Sequence, residues 1–238
     1  FTKKILSIDD LGDRSHYADY LIDQTYECDV DKYAVLVPST CKLLLGTKYC
    51  LLREEFQKSQ STNLAIDRKS RRLQTALVMF GGTDPDNVTS QVIEILKSVS
   101  QISKINIIIS EASEHKAEVV ALCNDNDKAS LYISPINIAE IMRESDIAIG
   151  AAGSSSWERC TQGLPSIVVI LAENQRQIAL TLAKAGVIEA VDLENIMEDL
   201  PKLLSLWLDS IEIYNLAVSK CLDICDGYGV QRVVKELS

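Results

Sequence analysis

Positive charge is in short supply in this sequence: 24 Lys and Arg stand against 34 Asp and Glu, a formal net charge of −10. A nucleic-acid-binding surface needs clustered cations to displace counterions, so that partner class is excluded. An anionic ligand would have to be held by local dipoles or by a few placed cations. The seven cysteines are scattered without a CxxC pair, which excludes a zinc ribbon and a disulfide framework and reads as buried thiols in a reducing cytoplasm. No apolar run is long enough to span a bilayer, and the start, FTKKILSIDD, reads as a strand behind two lysines rather than as a signal peptide. GxSxG and HExxH are absent, which removes serine-hydrolase and zinc-hydrolase readings. A cytoplasmic protein with no membrane partner and no cofactor is expected; the composition leaves its oligomeric state open.

What is present is an ordinary globular composition, 47% apolar and 24% charged, in 238 residues. That length suits one large domain or a domain with part of another. The missing initiator Met, and a start just before a strand, suggest a segment of a longer protein. Short apolar strands are expected at 5–8, 18–22 and 42–45, a helix at 51–60, and a polar, basic linker or crossover without sustained period at 59–72. Beyond it the pattern turns regular. Strands at 76–80, 105–110, 130–133, 147–149, 167–171 and 187–191 alternate with helices at 88–101, 114–124, 137–144, 155–162, 174–185 and 193–207, and two terminal helices follow at 211–225 and 230–237. Continuous apolar strands between amphipathic helices predict an α/β fold, a parallel sheet covered on both faces.

Three turns at strand ends carry candidate chemistry. Gly81, Gly82 and Thr83 follow the strand ending at Phe80, where glycines let a backbone wrap an anion. An ordinary strand-to-helix turn capped by Asp86 or Asn87 explains the same residues, and capping is favoured over a metal-binding role for Asp84 and Asp86. The stretch from Asp146 to Gln175 is stronger: Ala152, Gly153, Ser154 and Ser155 form a second small-residue turn before a helix, and two such turns in one crevice suit a diphosphate. Glu158 either accepts hydrogen bonds from ribose hydroxyls or complements that helix's N-terminus. Trp157 is expected in the core. Glu173, Asn174 and Gln175 form a polar group at the next strand end, suited to sugar hydroxyl and acetamido groups, with N-capping by Asn174 as the plainer account. His115 is expected at the surface, and His16, among several aspartates, is a candidate general base for which a loop histidine held by carboxylates for structure is the plainer account.

The segments SIDDLGDRSHYADYLIDQ, LLLGTKYCLLREEF, MFGGTDPDN and IGAAGSSSWERCTQGLPSIVVILAENQ, in this order, closely resemble the PseG-like UDP-sugar hydrolases of pseudaminic acid biosynthesis. These are UDP-2,4-diacetamido-2,4,6-trideoxy-β-L-altropyranose hydrolases, and SpsG-type spore coat polysaccharide proteins are similar. The resemblance implies the GT-B architecture related to MurG: the end of one Rossmann-like domain at 1–60, a linker at 61–72, and a UDP-binding Rossmann-like domain at 73–238. It implies a UDP-sugar as the small-molecule substrate, metal-independent chemistry, Gly81 to Thr83 and Ala152 to Ser155 beside the diphosphate, and Glu158 on the ribose. It further implies the backbone near Ile133 at the uracil edge, and Asn174 with Gln175 facing the sugar and phosphates, Asn174 as the catalytic member. The family's general-base candidate is a histidine in a GxGH turn, and no GxGH occurs in these 238 residues. His16 matches a different family position. Two other readings share these features: a GT-B glycosyltransferase using a UDP-sugar donor, and a UDP-binding module inactive by itself.

Overall fold

The computed structural model describes residues 4–57 and 62–238. The end of the helix expected at 51–60 and the first residue of the expected linker lie outside the described residues. A small parallel sheet, ordered β1-β2-β3, comes first and is made of β1 (Leu6–Ile8), β2 (Tyr20–Asp23) and β3 (Lys42–Leu45). After the short helices α1 (Glu54–Gln57) and α2 (Thr62–Ser70), the chain enters a six-stranded sheet. Its strands are β4 (Thr75–Met79), β5 (Lys104–Ile109), β6 (Ala129–Ile133), β7 (Ile147–Ala151), β8 (Ser166–Ile170) and β9 (Ile188–Asp192). They alternate with α3 (Val88–Ser98), α4 (Lys116–Asn124), α5 (Ile138–Glu144), α6 (Ser154–Thr161) and α7 (Glu173–Lys184). α8 (Ile196–Asp209), α9 (Ile211–Ile224) and α10 (Gly229–Leu237) close the chain.

Every pairing in the larger sheet is parallel, in the order β6-β5-β4-β7-β8-β9. Its central strands β4, β7 and β8 are almost wholly buried because both faces are covered, and the period-two alternation sorts their side chains between two cores. Ala76, Val78, Ile105, Ile107, Ile147 and Ile149 pack with residues of α3, α8 and α9 such as Ile93, Leu200 and Val218. Leu77, Met79, Ile108, Ala148 and Val168 pack on the opposite side with Met142 of α5, Trp157 and Cys160 of α6 and Leu182 of α7. Trp157, 4% exposed, is a core residue as expected. Gly150 lies opposite Met79 across the β4–β7 pair, and a Cβ there would meet the Met79 carbonyl at 2.4 Å. Glycine is what allows those two strand ends to approach.

Two expectations change. The 61–72 linker contains helix α2, and Arg68 within it is 1% exposed. Its guanidinium donates to the carbonyls of Gln162 (3.1 Å), Met142 (3.1 Å) and Ser145, which lie at or just past the C-terminal ends of α6 and α5. The helix showed no apolar period because, from Ile66 onward, its one buried side chain is a cation, with Ile66 itself exposed. The second change concerns α10, expected with the larger domain. It packs on the small sheet, where Val233 joins Ile22 and Leu44 in a buried cluster, and Arg232 donates to the Lys48 carbonyl at 2.9 Å. A three-stranded sheet needs an apolar partner for its face, and α10 is the amphipathic helix that supplies it.

Candidate functional site

β4 and β7 are neighbours although β5 and β6 lie between them in sequence, so strand order reverses between them. Loops leaving adjacent strands diverge at such a point and open a crevice at the carboxyl ends, the usual ligand position in doubly wound sheets. Both small-residue turns sit there, one after β4 and one after β7. Gly81 has φ +90°, a left-handed conformation that glycine adopts without strain. Across the crevice, Gly153 caps α6 with no side chain to offer, so the amides of Ser154 and Ser155 have no intrahelical acceptor. Those amides and the positive end of the helix dipole suit a negatively charged group.

The serine turn is braced from beneath. Arg159, 1% exposed, donates to the hydroxyls of Ser155 (3.1 Å), Ser156 (3.0 Å) and Ser166 (3.1 Å) and to the carbonyl of Ala151 (3.0 Å). The β4 turn is braced by its own first aspartate. Asp84, 7% exposed at φ +43°, accepts hydrogen bonds from the amides of Val88 (3.0 Å) and Thr89 (2.9 Å). The capping residue of α3 is therefore Asp84, while Asn87 occupies the cap position in a left-handed conformation without a side-chain cap. The N-terminal amides of α3 are thus occupied by Asp84, which also leaves its carboxylate fully engaged. His115, expected as a free surface residue, places Nε2 3.0 Å from the Pro85 carbonyl and so touches the same turn.

Three spaces line the crevice, the second and third sharing Asp10, Thr25 and Ile178. The first, about 300 Å³, is bounded by Gly81, Ser134, Pro135, Ile138, Ser155 and Glu158, with Arg53 at its mouth. Glu158 lies in the second turn of α6, too far along to complement its first amides. Its side chain is 18% exposed, and burial pushes its carboxyl above the usual glutamate range although Arg53 opposes that shift. Arg53 Nη2 lies 3.5 Å from Glu158 Oε1, and Glu55 accepts from the Ala139 amide at 3.1 Å, so the segment before α1 walls this space. Ile133 does not line it; Ser134, at φ +47°, turns the chain and brings Pro135 and Ile138 there instead. The second space, about 160 Å³, holds Gly153 and Ser154 against Asp9, Asp10 and Thr25 of the small sheet. The third, about 680 Å³, continues along α7 past Glu173, Asn174 and Gln177, facing Asp10, Thr25 and Lys32.

The expected site residues are thus sorted rather than gathered. Gly81, Ser155 and Glu158 share one space, Gly153 and Ser154 the next, and Glu173 and Asn174 the third. Gly82, Thr83 and Gln175 line none of these three spaces, and Ala152 is buried in the core at 3% exposure. Gln175 is tied down, its Oε1 accepting the Leu171 amide at 3.3 Å, and Glu173 pairs with Arg176 at 3.0 Å. Asn174 is not a cap, since α7 starts at Glu173 with Ala172 as its cap; its side chain is exposed toward the third space. Arg53, Arg68 and Arg159 escaped the sequence reading. Arg53 stands inside LLREEF, and Arg159 follows Ser155 by four residues on one helix face, the only sequence signals either offered.

On the lower wall, Asp9 and Asp23 share the Tyr33 hydroxyl, 3.1 Å from Asp9 Oδ2 and 2.8 Å from Asp23 Oδ2. Lys32 pairs with Asp23 at 2.7 Å. Burial pushes both carboxyls up, but the Gly12 and Leu11 amides on Asp9, and Lys32 with Thr25 on Asp23, hold both below the usual carboxylate range. His16 Nε2 lies 3.3 Å from Asp9 Oδ2 and joins this structural network, in keeping with its expected role.

Comparison with known proteins agrees with this architecture. A sequence model of the glycosyltransferase family 28 C-terminal domain matches residues 76–221. The chain is 28% identical over 183 residues to the UDP-2,4-diacetamido-2,4,6-trideoxy-beta-L-altropyranose hydrolase of Campylobacter jejuni, covering 77% of this chain and 63% of that one. It is 27% identical over 184 residues to the spore coat polysaccharide biosynthesis protein SpsG of Bacillus subtilis, covering 76% of this chain and 52% of that one. It therefore spans less than two thirds of the length of these relatives. The crystal structure of Acinetobacter baumannii MurG superposes with a TM-score of 0.67 at 15% identity, over 98% of this chain and 65% of MurG, and shows a GT-B type fold. With well over half its length matched, the chain belongs to the glycosyltransferase family 28 C-terminal domain family.

Proposed function

We propose that this protein is a nucleotide-sugar hydrolase that releases UDP from a UDP-diacetamido-trideoxyhexose, in pseudaminic acid or surface and spore coat polysaccharide biosynthesis. The observation that carries the reading is the order of groups along the crevice: a half-buried carboxylate, then a helix N-terminus with open amides, then an exposed asparagine. That order matches ribose, diphosphate and sugar. On this reading Glu158 holds the ribose hydroxyls and the Ser134 to Ile138 turn faces the uracil. The Ser154 and Ser155 amides, with Gly81 opposite, stabilise the leaving diphosphate as the glycosyl C–O bond breaks. Asn174 faces the sugar and is the catalytic candidate. The likeness to the Campylobacter jejuni hydrolase supports the choice of sugar and of water as acceptor. Incubation with the UDP-diacetamido sugar, with and without saccharide acceptors, is the test: free sugar and UDP in equal amounts, unchanged by EDTA, is the expected result. An untouched diacetamido sugar together with transfer of another sugar to an acceptor would overturn it.

A second reading, a GT-B glycosyltransferase with a UDP-sugar donor, is favoured by the size of the third space, about 680 Å³, which exceeds what one hexose fills. The same assay separates the two, because only a transferase consumes the acceptor.

A further inference from the structure

The second and third spaces of the crevice share an edge. Asp10, Thr25 and Ile178 line both the space beside the Gly153 to Ser154 turn and the space beside Asn174, and of these only Asp10 carries a charge. Its backbone is clamped from both sides. Lys32 donates from Nζ to the Asp10 carbonyl at 2.6 Å. The Asp9 carboxylate accepts the Leu11 amide at 3.3 Å and the Gly12 amide at 2.9 Å, bending the chain tightly around Asp10. Gly12, at φ +65°, leaves the room that the Lys32 side chain fills: a Cβ there would sit 2.6 Å from Lys32 Cε. Behind these contacts stand Asp23 and Tyr33, both fully buried. Asp10's own carboxylate is exposed and, among the described residues, takes part in no hydrogen bond or ion pair.

A buried network spent on fixing one loop residue, whose side chain stays unengaged at the junction of two cleft spaces, is the arrangement of a recognition group. We propose that Asp10 is the carboxylate that contacts the glycosyl group, accepting hydrogen bonds from its hydroxyl or amide N–H donors across the space from the Gly153 to Ser154 turn. The inference rests on the UDP-sugar reading above, and it adds a sugar contact from the small sheet that the nucleotide-holding half does not supply. Chemistry explains the division of labour: the amide-lined turn suits the acceptor oxygens of the diphosphate and the carboxylate suits the donor-rich sugar, so the two ends of the ligand are told apart. Lys32, Asp9 and Tyr33 are positioning residues, acting through the Asp10 backbone.

Calorimetry with UDP and with UDP-N-acetylglucosamine, on the wild type and on Asp10→Ala and Asp10→Asn, tests the assignment. Asp10 is exposed on a loop, so both variants are expected to fold, with unchanged circular dichroism and melting as the control. The expected result is unchanged affinity for UDP in every protein, with affinity for UDP-N-acetylglucosamine lowered about tenfold to a hundredfold in Asp10→Ala, as for loss of a charged hydrogen bond. Asp10→Asn, which keeps one acceptor oxygen, falls between. An Asp10→Ala protein that binds UDP-N-acetylglucosamine as the wild type does, or that weakens toward both ligands equally, overturns the role of Asp10 and leaves the nucleotide reading standing. A wild type that binds neither ligand overturns the nucleotide reading and this assignment with it.

Discussion

The six-stranded sheet is packed on both faces by large apolar clusters, whereas the small sheet gathers only Ile22, Leu44 and Val233 into a buried core and sets a network of Asp9, Asp23, Tyr33 and Lys32 beside it. Both hold loops against the same crevice. The larger sheet does so with backbone, small residues and a helix terminus, and dispersion and burial keep them in place. The smaller one has too little apolar area for that and fixes its loops with directional polar contacts, each costly to leave half made. The turn proposed for the diphosphate offers amides and a helix dipole, which do not titrate, while the polar wall of the small sheet rests on carboxylates and is sensitive to acid.

The largest break in this contrast is expected where the larger half departs from its own rule. Arg68→Ala leaves three carbonyls at helix ends without their donor and removes a buried cation, so it should cost about 4 kcal/mol in urea unfolding. A loss under about 1 kcal/mol would show that water takes over those carbonyls. Next comes Asp23→Ala, which takes from Lys32 its ion-pair partner and leaves the Tyr33 hydroxyl to Asp9 alone, and should cost about 3 kcal/mol, with the loss read first by a probe on the small sheet. The same network carries a pH signature. Asp9 and Asp23 have folded values below their ordinary ones, so the stability they add is complete above about pH 4 and is lost as pH falls through the depressed values. Melting curves of the wild type should fall over that range more steeply than those of Asp23→Ala; parallel curves would remove the network from the account.

The smallest effect is local. Glu158→Ala should weaken UDP binding by about 2 kcal/mol with little change in stability, if the carboxylate makes a charged hydrogen bond to ribose. Because burial raises its folded value, the accepting form is lost on acidification sooner than for an ordinary glutamate. Wild-type affinity for UDP should therefore fall with an acid limb that Glu158→Gln lacks. An identical limb in both proteins assigns it to another group.

How far the sequence could be read follows the same division. Strands β4 to β9 announced themselves through largely apolar runs, and each begins and ends within two residues of its expected place. The Gly150 to Ser155 turn was legible because small residues before a helix have few other uses. Polar residues that act through a distant partner were not. Nothing near Asp84 distinguishes it from Asp86 or Asn87 until the left-handed turn aims its carboxylate at Val88 and Thr89. α2 hid because, from Ile66 onward, its buried residue is Arg68, and the residue beside Ile133 that lines the first space is Ser134, in a left-handed conformation that no local pattern announces. The roles of Lys32 and Tyr33 lie in bonds to Asp10 and Asp23, too distant in sequence for a local pattern to record.

The return of α10 to the small sheet sets an order of events during synthesis. Lys42 of β3 pairs with Glu236, 194 residues further along, and Gly229 leaves no room for a Cβ against the Cys50 carbonyl. β1 to β3 precede the larger sheet in the chain, yet their covering helix follows it. Until that helix is made, the sheet face that Val233 covers stands open on the nascent chain, and it is there that a chaperone would be needed while the larger sheet is being translated.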